Sequence, residues 1–72
     1  MIRIIIKRTE IIVQIEGHSA FSYDQSYYYE IDEKYNRFFI IERDDQINNE
    51  KNIAFSAPLS STIIFNHDKR RN

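Results

Sequence analysis

Two short stretches decide the fold of this chain: Asn49-Glu-Lys-Asn-Ile-Ala-Phe-Ser-Ala-Pro58 and Ser60-Ser-Thr-Ile-Ile-Phe-Asn66. Both are rich in β-branched and aromatic residues, which favour pleated, half-buried strands. Proline has no backbone N–H to donate, so it is excluded from the interior of a paired central strand. Pro58 is the only proline in the sequence, and we predict that it separates two strands or lies on a sheet edge.

The first 16 residues carry two further strand patterns, over residues 2–8 and 11–16. Apolar side chains recur at every second position of the later one, as in a strand that buries one face. Gly17 ends this pattern, because glycine adopts a positive φ at no steric cost. The same period puts apolar residues on one face of the last two strands, namely Ile53 and Phe55 and then Ile63 and Phe65. Of these we predict that Ile53 lies in the core.

Residues 20–36 fit two different structures. A strand from Tyr27 to Asp32 could turn back into a second strand over residues 38–43. A short helix beginning at Ser26 would instead bury side chains at helical spacing, namely Tyr28, Ile31 and Tyr35. The β propensity of consecutive tyrosines favours the strand, and both alternatives stay open on the sequence.

Composition predicts one small domain over residues 1–72, close to the lower size limit for a self-sufficient core. Chains of this size gain stability from disulfides, metals or association, and the lack of cysteine excludes disulfides and thiolate metal sites. A reducing compartment fits this composition, so we predict a cytoplasmic protein. The longest apolar runs are far shorter than a membrane span, and we predict no membrane association. The expected fold class is mainly β: a five- or six-stranded antiparallel sheet, stabilised by association.

The formal net charge of −1 conceals an uneven distribution. Basic side chains without any acidic ones lie at the two ends of the chain: Arg3, Lys7 and Arg8 in residues 1–8, and Lys69, Arg70 and Arg71 in residues 69–72. Residues 9–68 have a net charge of −7. If the two ends meet in space, their local field attracts phosphates although the whole chain is weakly acidic. The alternative is a frayed basic tail beside an ordinary charged strand.

Signatures of catalysis are scarce. The sequence has no P-loop, no GxGxxG fingerprint and no nucleophile elbow. The segment Ile15-Glu-Gly-His18 resembles the start of the ribosomal-processing cysteine proteases, but those enzymes need a cysteine that this chain lacks. We interpret His18 and His67 as loop residues and the pair Asp32-Glu33 as a solvated turn. We therefore predict no enzyme activity, no metal site and no cofactor.

Two segments carry longer motifs. The first is Ile5-Ile-Lys-Arg-Thr-Glu-Ile-Ile-Val-Gln-Ile15, in which the basic pair Lys7 and Arg8 precedes an aliphatic alternation. The second is Asn48-Asn-Glu-Lys-Asn-Ile-Ala-Phe-Ser-Ala-Pro58, followed by an aliphatic strand and a basic tail, residues 67–72. Together they resemble the CsrA/RsmA family of post-transcriptional regulators, whose members open with Leu-x-Arg-Arg-x-x-x-x-Ile-x-Ile and later carry Gly-Asn-x-x-x-Ile-Gly-Ile-x-Ala-Pro.

The chain also departs from this family. It carries an insertion at about residues 17–36, where one branch of the family has a helix. Glu10 stands where the family has glycine, and two residues are inserted before His67.

The resemblance implies an intertwined homodimer, in which the first strand of one chain pairs beside the last strand of the other. It also implies binding to GGA sites in hairpin loops of mRNA leaders or small RNAs, and regulation of translation without chemistry. The residues then expected to contact RNA are Arg3, Ile5, Lys7, Arg8, Ala57, Pro58, His67, Lys69, Arg70 and Arg71. A heterodimer with a related protein, in which this chain is a decoy subunit, also agrees with the resemblance.

Two other functions stay open. A protein-interaction module would pair with partners through an exposed edge strand and ignore RNA. A structural β domain would use segments such as Tyr28-Tyr-Glu-Ile31 for packing in a larger assembly. The tyrosines are relevant to this choice. They could stack on RNA bases, but we predict instead that they lie in the core or in a dimer interface.

Overall fold

The computed structural model describes residues 1–43 and 51–68. Strands dominate these ranges, so the predicted mainly β class is confirmed. The elements are β1 (Ile2–Ile6), β2 (Ile11–Ile15), β3 (Phe21–Tyr23), β4 (Tyr27–Asp32), β5 (Arg37–Glu42), β6 (Asn52–Pro58), a 3-10 turn (Leu59–Ser61) and β7 (Thr62–Asn66). No helix in the described ranges is long and apolar enough to cross a membrane.

The strands form two sheets rather than the single antiparallel sheet that the sequence predicts. The larger sheet has the strand order β3-β2-β1-β7, and the smaller one has the order β4-β5-β6. Four of the described strand pairs are antiparallel, whereas β1 and β7 run parallel. Each short strand has one apolar face, and two sheets packed face to face cover those faces better than one open sheet does.

The core lies between the two sheets. Ile4 and Val13 of the larger sheet and Phe38 and Ile40 of the smaller sheet are fully buried and belong to one apolar cluster. Burial of each such side chain contributes about 1.5–3 kcal/mol. The half-buried residues that pack around this cluster are Ile2, Ile15, Tyr23, Tyr27, Tyr29, Phe55, Leu59 and Ile64.

Residues 20–36 contain no helix. They include β3 and β4, and β4 turns back into β5 through residues 33–36. Asn36 ends this turn with a φ of 59°, a left-handed conformation that asparagine adopts more readily than most residues. The strand predicted over Tyr27–Asp32 is therefore confirmed, and the helical alternative is wrong.

The predicted core position of Ile53 is wrong, because β6 is irregular. Ile40 lies opposite Phe55 and Ile41 lies opposite Ile53, so Ala54 is an extra residue in β6. A bulge of this kind interrupts the alternation of side chains along the strand. Phe55 consequently packs against the core, whereas Ile53 is 54% exposed.

Ile63 and Phe65 also lie outside the core, with 39% and 41% of their surface exposed. The parallel pairing places Ile64 beside the buried Ile4, so Ile64 faces inward. Its neighbours in the strand point to the other face because successive side chains alternate. The prediction that Ile63 and Phe65 share one face of β7 is therefore confirmed, and that face is the outer one.

Two backbone predictions are confirmed. Pro58 is the last residue of β6, which is an edge strand of the smaller sheet. Gly17 follows β2 with a φ of 86°, a conformation that other residues adopt only at a cost.

Candidate nucleic-acid interface

The loop after β1 and the residues after β7 lie side by side. Ile6 is opposite Asn66, and the backbone N–H of His67 donates a hydrogen bond of 2.8 Å to the carbonyl oxygen of Ile6. Because β1 and β7 are parallel, their last residues lie at the same end of the sheet. Lys7 and Arg8, which follow β1, therefore lie next to His67, which follows β7. The resemblance implies such pairing of first and last strands between two chains; here both strands belong to one chain.

Lys7 and Arg8 lie in a loop, not in the first strand as the sequence predicts. β1 ends at Ile6, and the backbone N–H of Lys7 donates a hydrogen bond of 2.9 Å to the carbonyl oxygen of Glu10. Both basic side chains are exposed. Within residues 1–43 and 51–68, neither of them forms an ion pair. Their charges are therefore available to an anionic ligand.

Arg3 and Ile5 lie on the outer face of the larger sheet, away from the core. Ile5 is half-buried between Ile12 and Phe65 of the neighbouring strands. Arg3 is exposed and lines a cleft of about 370 Å³ near the start of the chain, together with Met1, Gln14, Ile15, Glu16, Gly17 and His18. An ion pair of 3.3 Å between the Met1 ammonium and Glu16 lies in the same place. Arg3 is thus separated from the Lys7 loop.

The structure does not bring Ala57 and Pro58 to the Lys7 loop. They lead into the 3-10 turn and β7, whose first residue, Thr62, lies opposite Ile2. Ile2 and Ile6 are at opposite ends of β1, and at about 3.3 Å per residue they are about 13 Å apart. Ala57 is also only 2% exposed, so its side chain is closed to a ligand.

The predicted contacts from Lys69, Arg70 and Arg71 lie outside the described residues. They follow Asp68 directly in the sequence, and Asp68 is two residues beyond β7. Of the ten residues predicted to contact RNA, the structure brings three together: Lys7, Arg8 and His67.

A second cleft, of about 200 Å³, lies between the Lys7 loop and the smaller sheet. Its basic residues are Lys7, Arg8 and Arg43, and its aromatic residues are Tyr27, Tyr28 and Tyr29, which are half-buried. Basic groups beside aromatic rings are the combination found in proteins that bind single-stranded nucleic acid. This cleft is the candidate interface.

The cleft also contains carboxylates, so its charge is local rather than net. Glu10, Asp24 and Asp68 contribute to its lining. Asp24 accepts a hydrogen bond of 2.8 Å from the backbone N–H of Ser26 and so stabilises the turn before β4. Attraction of an anion depends on which wall it approaches, and the exposed Lys7 and Arg8 make the loop side the favourable one.

Three of the tyrosines contribute to the core. Tyr23, Tyr27 and Tyr29 pack against the apolar cluster, which confirms the predicted core role for these three. The Tyr29 hydroxyl accepts a weak hydrogen bond of 3.5 Å from the Asn66 amide. Burial, followed by the neighbouring Tyr27, raises the pKa of Tyr23 above its ordinary value. Tyr35, by contrast, is 67% exposed in the turn after β4.

Arg43 is a site residue that the sequence motifs did not predict. Its guanidinium carbon lies 5.3 Å from the centre of the Tyr28 ring. A signal for this pair existed: a turn over residues 33–36 pairs Asp32 with Arg37, and the same register then places Tyr28 opposite Ile41. Arg43 is two residues beyond Ile41 and so lies on the same face of the hairpin.

Comparison with known proteins gives no relative. No protein-family model matches the chain, and no curated protein or solved structure matches it significantly. Among the described residues, no group of three or more His, Asp or Glu side chains could hold a metal ion. The resemblance to the CsrA/RsmA family therefore stays a prediction from sequence motifs.

Proposed function

We propose that this chain is an RNA-binding protein that regulates translation by occupying sites in mRNA leaders or small RNAs. The observation that carries the proposal is the parallel pairing of β1 with β7. It places the basic loop of Lys7 and Arg8 beside His67, where the basic C-terminal sequence begins.

Physical properties of this end of the molecule support RNA as the ligand. The ammonium of Lys7 and the guanidinium of Arg8 are exposed, and in the described part of the chain they form no ion pair. When these cations bind RNA phosphates, they release counterions condensed on the RNA, and no salt bridge within the described residues has to break. The aromatic groups next to them suit unpaired bases, which are the usual targets of sequence-specific RNA recognition.

A preference for GGA loops is the finer part of the proposal. It rests on the motif resemblance in residues 5–15 and 48–58. Guanine presents acceptor atoms that arginine and backbone N–H groups recognise once the base is splayed out. Regulation would follow from steric occlusion, because bound protein covers the RNA sequence that the ribosome needs.

A homodimer, or a heterodimer with a related chain, is proposed on the outer face of the larger sheet. Ile12, Ile5 and Phe65 lie in one row across three adjacent strands. Ile63 lies on the same face and is 39% exposed. Apolar groups of this kind are typical of the buried centre of an interface, and a second copy would cover them.

The test is fluorescence anisotropy with a labelled RNA hairpin that displays GGA in its loop. The matched control is the same hairpin with CCA in the loop. We expect clear preference for GGA. Equal, salt-sensitive binding to both hairpins would retain RNA binding and remove the GGA preference, whereas no binding to either would remove the proposed function.

The second candidate is a protein-interaction module. The observation in its favour is that β7 is an edge strand of the larger sheet and carries the exposed Ile63 and Phe65. An edge of this kind can accept an added strand from a partner. Indifference to every RNA hairpin, with association that depends on Phe65, would favour this candidate over RNA binding.

A further inference from the structure

One wall of the candidate interface is formed by Arg43, whose guanidinium lies over the ring of Tyr28. The guanidinium carbon of Arg43 lies 5.3 Å from the centre of the Tyr28 ring, within the range of a cation–π contact. Both residues contribute to the lining of the cleft of about 200 Å³. Arg43 is exposed, whereas the side chain of Tyr28 lies on the face of β4 opposite to the core-facing Tyr27 and Tyr29. The guanidinium, with the Tyr28 ring behind it, is therefore the planar group that borders the cleft.

This wall is fixed by hydrogen bonds and by packing. The Arg43 Nε donates to the carbonyl oxygen of Gln25 at 3.1 Å, and its backbone N–H donates to the carbonyl oxygen of Ser26 at 2.6 Å. Tyr28 lies opposite Ile41, which is 2% exposed. Side chains that are ordered before a ligand arrives lose less conformational entropy on binding.

The other wall supplies positive charge. Lys7 and Arg8 reach this cleft from the loop after β1. The volume of about 200 Å³ is below the range of about 300–1,000 Å³ that holds drug-sized ligands. A single planar group with one phosphate fits these dimensions, and a large cofactor does not.

We propose that Arg43, backed by the Tyr28 ring, forms a stacking subsite for one unpaired RNA base, while Lys7 and Arg8 bind the adjoining phosphate. Unpaired bases stack on aromatic rings and on guanidinium planes. The inference rests on the proposed RNA-binding function and deepens it, because it assigns the base contact to the β4–β5 hairpin. That hairpin lies outside both sequence motifs.

The experiment compares variants by anisotropy with the labelled GGA hairpin. Tyr28→Leu removes the ring, and Arg43→Gln removes the guanidinium. The matched controls are Tyr35→Leu and Lys34→Gln, because Lys34 lies over the Tyr35 ring at 5.4 Å in the turn at the far end of the same hairpin. Since stacking contributes measurably for each base, we expect about tenfold weaker binding for each cleft variant and unchanged binding for the controls.

Further variants separate stacking from charge and from folding. Tyr28→Phe keeps the ring and should retain the wild-type affinity. Tyr28→Leu should leave the salt dependence of binding unchanged, because no phosphate contact is lost. If Tyr28→Leu fails to fold, Arg43→Gln decides the outcome, since that side chain is exposed.

Hairpins with one abasic loop position at a time identify the stacked base. We expect one position at which the wild type loses affinity and Tyr28→Leu loses nothing further. Wild-type affinity in both cleft variants, or equal binding of all abasic hairpins, would overturn the subsite and leave RNA binding intact. A wild type that binds no hairpin would overturn the proposed function and the subsite with it.

Discussion

Replacing Lys7 and Arg8 together by alanine should weaken RNA binding in a manner that depends on salt. Both side chains are exposed in the loop after β1, and in the described residues they have no carboxylate partner. Each can therefore neutralise one phosphate. For single-stranded nucleic acid, the slope of log affinity against log salt concentration changes by about 0.7 per contact, so the double variant should lose about 1.4. Counterion release vanishes near 1 M salt, so this slope corresponds to about 25-fold weaker binding at 0.1 M salt.

The assay is a salt titration of hairpin binding by fluorescence anisotropy, with Lys34→Ala as the control. Lys34 is an exposed lysine in the turn of the β4–β5 hairpin, at the opposite end from Lys7. If charge alone mattered, its loss would reduce the slope as much as Lys7→Ala does. An identical slope for the wild type and the double variant would refute the assignment of Lys7 and Arg8 to phosphate.

Two further expectations concern packing. Ile40→Ala should destabilise the fold by about 2–5 kcal/mol because it leaves a cavity in the core; Ile53→Ala, at an exposed position, should change the stability by less than about 0.5 kcal/mol. Urea denaturation checks this pair, and equal losses would show that the bulge in β6 does not turn Ile53 outward. Phe65→Asp should abolish the homodimer in sedimentation velocity and leave a folded monomer, because it places a charge in the apolar outer face. A dimer that persists in this variant would place the interface elsewhere.

The balance of charges in the cleft bears on the proposed RNA complex. Three basic and three acidic residues line the cleft, so the cleft as a whole has no strong field. In the proposed complex, the orientation of the ligand would follow from the arrangement of the walls, with the phosphate towards the loop of Lys7 and Arg8 and the base towards Arg43. A site built this way discriminates between orientations of the RNA backbone more than it increases total affinity.

Local sequence determined much of the secondary structure. Period-two alternation predicted β2, and tyrosine propensity favoured a strand for β4. The sequence also predicted correctly that Gly17 follows the end of β2 and that Pro58 lies on a sheet edge between two strands. These features depend on steric and hydrogen-bonding properties of each residue and its near neighbours. The sequence also determined that the basic side chains are concentrated at the two ends of the chain.

The assignment of faces needed the tertiary structure. Ile53 and Phe55 have the same spacing as a regular core-facing pair, yet the extra residue Ala54 separates their environments. A bulge depends on the register of the partner strand, which local propensity does not encode. For the same reason, the residue of β7 that faces the core could be identified only from the pairing of Ile64 with the buried Ile4.

The site, too, was decided by long-range pairing. The distribution of charge indicated Lys7, Arg8 and the basic tail as contacts for RNA. The motif resemblance also implied Ala57 and Pro58, but these residues of β6 lead to the end of β1 opposite to Lys7. The Tyr28–Arg43 pair depends on the register of the β4–β5 hairpin, and the meeting of Lys7 with His67 depends on parallel pairing between strands some 60 residues apart. Residue types and local periodicity follow from the sequence itself, whereas contacts over such separations arise only when the two sheets bury their apolar faces against each other.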